Sequence, residues 1–151
     1  MENSIQKVLC VCKGNTCRSP LIAALFNKQF EALGIDITAD SAGLIGEVGR
    51  PASPEMLATA MEIGLSLSEH KSKLINSLDL RQYSRIYCVD DEIRDEVLKM
   101  KEVKEDQVII FNDREGGVPN PFGKGLAEYH DCAEIIQREV EKITGLCARL
   151  L

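Results

Sequence analysis

Apolar positions along the chain alternate between short continuous runs and helical stripes. Lys7 to Val11 is a run of strand length, and Cys12 follows directly. After a small polar stretch, Ile22, Leu25, Phe26, Phe30 and Leu33 recur on one helical face, and Gly34 closes the run. Ser19-Pro20 predicts the start of that helix, with Ser19 as N-cap and Pro20 in the first helical position. Ile35 to Ser41 reads as a second strand. Ser53-Pro54 repeats the cap-and-proline signal and predicts a helix that stops at Gly64. Arg85 to Val89 predicts a third strand, Glu92 to Met100 a polar-faced helix, and Gln107 to Phe111 a fourth strand. The last helix carries the clearest stripe: Leu126, Tyr129, Ala133, Ile136, Val140, Ile143 and Cys147.

Strands alternating with helices predict an α/β domain, a four-stranded parallel sheet flanked by helices on both faces. In such a sheet, ligands bind beyond the carboxyl ends of the strands, and the first strand ends at Cys12. Two long connections, 43–52 and 112–125, follow strands on that same side, where loops of such length are often functional.

At 151 residues the chain is expected to form one domain over 1–151, with 44% hydrophobic and 28% charged residues as in ordinary globular proteins. No apolar run approaches the ~20 residues of a membrane span. Met1 to Lys7 has no signal-peptide hydrophobic region, so a cytoplasmic protein is expected. The net charge of −6 gives no sign of a nucleic-acid-binding surface but allows a small positive pocket. In a reducing compartment the six cysteines are thiols. Cys10, Cys88, Cys132 and Cys147 lie among apolar neighbours and read as buried small hydrophobes. Cys12 and Cys17 remain.

These two fall in "VLCVCKGNTCRSP", Val8 to Pro20. A zinc site would need paired ligands at other spacings, whereas here one and four residues separate the cysteines, and His70 and His130 stand apart. A nucleotide-binding P-loop fails as well, because Gly123-Lys124 is followed by Gly125. What fits is an anion cradle around a nucleophile. From Cys12 to Arg18 the pattern is C-x₅-R, with Gly14 and Asn15 able to adopt unusual backbone angles. The amides of Gly14, Asn15, Thr16 and Cys17 can then point inward as a nest. The following helix adds its positive end, and Arg18 a planar fork for phosphate-like oxygens. Ser19 can donate a hydrogen bond to the Cys12 sulfur. A thiolate beneath a bound phosphate is placed for in-line attack, giving a cysteinyl-phosphate that water removes.

With strand, C-x-G-N-x-C-R-S-P and helix together, the chain resembles the low-molecular-weight protein tyrosine phosphatases. "SAG" at Ser41, "VGRPASP" at Val48, "SEHKSK" at Ser68, "CVDD" at Cys88 and "PNPFG" at Pro119 extend the resemblance along the whole length. It implies Cys12 as nucleophile, Arg18 as phosphate clamp and Ser19 as partner of the thiolate. Asn15, Ser41 and His70 would hold the loop's shape, although His70 alone reads equally as an ordinary surface or core histidine. No metal and no organic cofactor is implied. The expected partners are phosphotyrosine proteins or small aryl phosphates, with inorganic phosphate or a similar oxyanion in the loop, and neither nucleic acid nor membrane.

Two departures qualify the resemblance. The family's general acid is an Asp before Pro, and here the position is Asn120, so proton transfer is expected to be impaired. The 43–49 loop lacks the aromatic that walls the phosphotyrosine slot, leaving Phe122 as the expected wall, while Lys13 makes the rim more polar. Asp113 and Glu115 are alternative acids on the same connection, though both read as solvated turn charges. Two other functions stay open at this point: an arsenate reductase of the same fold, which would need further cysteines close by, and a phosphotyrosine-binding pseudo-enzyme.

Overall fold

The computed structural model describes residues 6–149; Met1–Ile5, part of the segment read for a leader, lie outside them. The elements are β1 (Gln6–Cys12), α1 (Arg18–Ala32), β2 (Ile37–Gly43), α2 (Pro54–Glu62), β3 (Tyr83–Cys88), α3 (Asp91–Leu98), β4 (Val108–Ile110) and α4 (Leu126–Arg149). Short 3₁₀ turns at Ile75–Ser77 and Leu80–Gln82 lead into β3. The sheet has four strands in the order β2-β1-β3-β4, every pair parallel. Parallel strands need crossovers, and the alternation of apolar runs and stripes supplies them. β1 pairs with both β2 and β3, so the winding reverses beside it and a crevice opens at its carboxyl end. Cys12 ends the strand there.

Three expectations need correction. The first helix begins at Arg18 with Cys17 in the N-cap position and no side-chain cap; Ser19 lies inside the first turn because its hydroxyl is taken by Cys12 and Asn15. The second strand runs two residues later than Ile35 to Ser41, since Ser41, Ala42 and Gly43 pair with Cys10, Val11 and Cys12. Ile35 is buried in the preceding turn, its N–H bonded to Phe30 O at 2.8 Å. Cys10, Cys88 and Cys132 are buried as expected, but Cys147, near the end of α4, is only half-buried. The other elements match within one or two residues, and Ser53 caps α2, accepting the Met56 N–H at 3.3 Å.

Phe26 of α1 anchors the core between helix and sheet. It is fully buried, stacks on Phe30 at 5.4 Å between ring centroids, and meets Tyr87 at 5.2 Å and the edge of Phe111 at 6.2 Å. Truncating such a ring removes its transfer energy and leaves a cavity. Phe26→Ala should therefore lower stability by about 3–5 kcal/mol, read from the urea midpoint at unchanged slope.

Candidate active site

The Cys12 sulfur rests at the end of β1, 3% exposed as a residue, with two polar contacts. Ser19 Oγ lies 2.9 Å from it, and the Asn15 backbone N–H donates to it at 3.2 Å. The direction of the Ser19 bond follows from its other partner. Asn15 Nδ2 donates to Ser19 Oγ at 2.9 Å, which leaves the hydroxyl proton free for the sulfur. A negative sulfur is therefore met by two donors.

Asn15 is the hub of the loop. It is fully buried and holds φ 59°, a left-handed conformation that Asn tolerates better than most residues. Gly14 needs no positive φ, so the unusual angle falls on Asn15 alone within this loop. Its Nδ2 also donates to Ser41 Oγ at 2.9 Å, its Oδ1 accepts the Lys73 N–H at 3.0 Å, and its carbonyl accepts from His70 Nε2 at 2.7 Å. Because a carbonyl can only accept, Nε2 carries the proton. The side chain is thereby satisfied at both ends, which fixes a strained backbone without orphaned polar atoms.

Gly43 completes this floor. A Cβ there would lie 2.9 Å from both Gly14 C and Lys13 O, so only glycine lets β2 approach the loop so closely. Leu44 and Ile45 then bind Lys13 O through their N–H groups at 2.9 and 3.0 Å. Behind the loop, Cys17 Sγ is 3.3 Å from Ser53 Oγ and 3.5 Å from Tyr129 OH, tying it to α2 and α4. Burial pushes the Tyr129 phenol up to about 12, so it stays neutral in this contact.

Arg18 is 4% exposed, and its Nη1 donates to Val118 O at 2.9 Å and to Asp90 Oδ2 at 3.4 Å. Val118 is itself pinned to Val89 O through its N–H at 2.7 Å, which Gly117 permits because a side chain there would collide with that same carbonyl. Asp90 accepts the Ile93 N–H with its other oxygen at 2.9 Å, capping α3. One nitrogen of the guanidinium is thus anchored from below while the residue lines the cavity above.

That cavity has a volume of about 440 Å³. Lys13, Gly14, Thr16 and Cys17 line it with Cys12 and Arg18; across the mouth stand Ile45, Glu47, Arg50, Asn120 and Phe122. Asn15 and Ser19 are not among its lining residues. Phe122 is 65% exposed at the rim. Asn120 Oδ1 accepts the Phe122 N–H at 3.1 Å. Asp113 and Glu115 are outside the lining; Glu115 pairs with Arg138 at 3.3 Å and accepts from Asn112. His130 is an exposed partner of Glu62 at 2.7 Å. Among the described residues no group of three metal-ligating side chains occurs.

Gly43, Ser72, Lys73 and Val118 were not singled out from the sequence. They act through the backbone or across long sequence separations, and the only signal for them was the clustering of "SAG" and "SEHKSK" in the resemblance.

Burial lowers the His70 pKa below its ordinary 6.5, assisted by the Lys73 charge and opposed by the bond to Asn15. A lowered base takes up its proton in the unfolded chain first, so stability falls as pH drops through 6.5 toward the native value. His70→Gln keeps a donor for the Asn15 carbonyl and should remove this share of the acid sensitivity. Urea midpoints of both proteins from about pH 7.5 to about pH 5 give the difference directly.

Residues 7–150 match the family described as low molecular weight phosphotyrosine protein phosphatase. A probable low molecular weight protein-tyrosine-phosphatase, EpsP, of Ralstonia nicotianae is 27% identical over 138 residues, 91% of this chain and 92% of its own. The protein-arginine-phosphatase of Bacillus subtilis is 27% identical over 146 residues, covering 90% and 93%. The crystal structure of a low molecular weight protein tyrosine phosphatase from T. tengcongensis superposes with a TM-score of 0.87 at 30% identity, covering 93% of this chain and 98% of that one. The fold and these matches define a phosphatase of the low molecular weight class. The chain belongs to the low molecular weight phosphotyrosine protein phosphatase family.

Proposed function

We propose that the protein hydrolyses phosphotyrosine and related aryl phosphate monoesters through a phosphocysteine at Cys12. The observation that carries the reading is the Cys12 sulfur held by Ser19 and the Asn15 amide at the floor of a cavity that Arg18 also lines. In the first step the sulfur attacks phosphorus, the P–O bond to the aryl group breaks, and its electron pair stays on the leaving oxygen. Arg18, the loop amides and the positive end of α1 balance the charge on the equatorial oxygens. In the second step water attacks phosphorus and the S–P bond breaks, with Ser19 stabilising the departing sulfur. Lys13, Gly14, Thr16 and Cys17 surround the phosphoryl group, and Phe122 flanks the ring. Asn120 can give a hydrogen bond but no proton, which slows the release of basic leaving groups.

The reaction needs no cofactor in this reading, and we infer a cytoplasmic setting, where thiols stay reduced; all six cysteines are unpaired. No helix among the described residues is long and apolar enough to cross a membrane. Arsenate reduction is not favoured. A relay would need reactive cysteines, whereas burial pushes Cys88 and Cys132 up to about 12. Phosphoarginine is the second substrate to test, because the Bacillus subtilis protein-arginine-phosphatase is as similar as EpsP, each at 27%. Purified protein assayed with phosphotyrosine, phosphoarginine and p-nitrophenyl phosphate separates the two. Tight phosphopeptide binding with no turnover of any of the three would instead support a pure binding module.

A further inference from the structure

We propose that Glu47 is a catalytic residue of this site, giving a proton to the leaving oxygen and then taking one from the attacking water; the proposal rests on the Cys12 reading above. Among the described residues lining the cavity, Glu47 alone bears a carboxyl group. The other nearby acids lie outside this lining, Glu128 and Asp131 beyond Asn120 in a separate, smaller pocket. Asp90 has one oxygen on Arg18 and the other on the α3 cap. Glu115 is held by Arg138 and Asn112 outside the cavity, and Asp113 does not line it. Asn120, at the same mouth, is an amide and transfers no proton.

The loop that carries Glu47 is tethered on both sides. Upstream, Leu44 and Ile45 are bonded to Lys13 O, the carbonyl of the residue next to Cys12. Downstream, Ser72 makes four hydrogen bonds, its own N–H donating to Arg50 O at 2.8 Å. Its hydroxyl donates to Glu47 O at 2.7 Å and accepts the Arg50 N–H at 2.9 Å, while its carbonyl accepts the Gly49 N–H at 2.8 Å. Ser72 is 3% exposed, so these bonds are shielded from water. The backbone carbonyl of Glu47 is therefore turned to Ser72, and the main chain at the rim is held by a fixed strap that carries the exposed Glu47 side chain.

The balance of the step is simple. As Cys12 attacks and the P–O bond breaks, the Glu47 carboxyl proton passes to the leaving oxygen, and Glu47 becomes a carboxylate. As water attacks the phosphocysteine, that carboxylate takes a water proton and the electron pair of the S–P bond returns to sulfur. Glu47 ends protonated and inorganic phosphate is released.

The test uses phenyl phosphate and p-nitrophenyl phosphate with the wild type, Glu47→Gln, Cys12→Ser and the double variant Glu47→Gln/Asn120→Asp. Vanadate binding serves as the check on folding and on the loop. Glu47→Gln should lose about 10²-fold or more in kcat on phenyl phosphate, whose leaving group needs a proton, and much less on p-nitrophenyl phosphate. Vanadate binding should be retained. The double variant should regain phenyl phosphate turnover, because two groups serving one function are not additive. If Glu47→Gln keeps wild-type turnover of phenyl phosphate while Cys12→Ser loses it, the role of Glu47 is overturned and that of Cys12 stands. Equal losses on both substrates together with lost vanadate binding overturn it too, marking Glu47 as structural. No turnover of either substrate by the wild type overturns both readings.

Discussion

Cys12→Ser is expected to abolish hydrolysis of every aryl phosphate while the protein still binds vanadate or inorganic phosphate. A serine hydroxyl lacks the nucleophilicity of a thiolate, whereas the cradle around it is made by other groups: the loop amides, Arg18 and the start of α1. The fold should hold, because the Asn15 side chain keeps its bonds to Ser41, Ser19 and Lys73. Arg18→Lys gives the complementary result, with turnover and anion binding both reduced. Lysine keeps the charge but loses the fork that spans two phosphate oxygens, and it cannot reproduce the geometry to Val118 O. The measurement is steady-state kinetics on p-nitrophenyl phosphate beside vanadate titration. Near-parent turnover by Cys12→Ser would remove the covalent mechanism.

Asn120→Asp is expected to raise turnover of phosphotyrosine far more than that of p-nitrophenyl phosphate. A positioned general acid contributes ~10²–10⁴ in rate, and its value grows with the basicity of the leaving group. Tyrosine leaves as a phenolate with a conjugate-acid pKa of about 10, while a nitrophenolate departs with much less help. The amide already lines the cavity with its oxygen on the Phe122 N–H, so a carboxyl group fits the same place. Affinity for the phosphate dianion should fall, because a carboxylate repels it and an amide does not. The gain should be larger in the Glu47→Gln background than in the wild type, where Glu47 already serves as proton donor. An unchanged rate on phosphotyrosine in both backgrounds would contradict any role for a proton at this mouth.

The strand-loop-helix around Cys12 was legible in the sequence because its signals are local. An apolar run stops, small polar residues follow, and a stripe begins within a dozen positions. The limits of that reading are instructive. Ser19 carries the ordinary mark of a helix cap, yet here a buried sulfur and a buried amide compete for its hydroxyl and the helix starts before it. Ser41 reads as the end of the second strand, but the small residues Ser41-Ala42-Gly43 let the strand continue alongside Cys12. Asp113 and Glu115 share a connection with Asn120 and still fall outside the cavity, since the chain turns at Asn112 with φ 60° and sends both outward. Glu47 carries no pattern signal, and Ser72 none beyond its place in "SEHKSK". They meet across 25 positions through one hydroxyl and one carbonyl, a contact that neither residue type advertises.

The most direct test of the whole account is acid quenching of the enzyme during turnover of p-nitrophenyl phosphate, followed by mass spectrometry of the peptides. One phosphoryl group is expected on the peptide carrying Cys12, absent from Cys12→Ser and lost on standing in water. Steady turnover with no phosphoryl group on Cys12, or with one on any other residue, would contradict it.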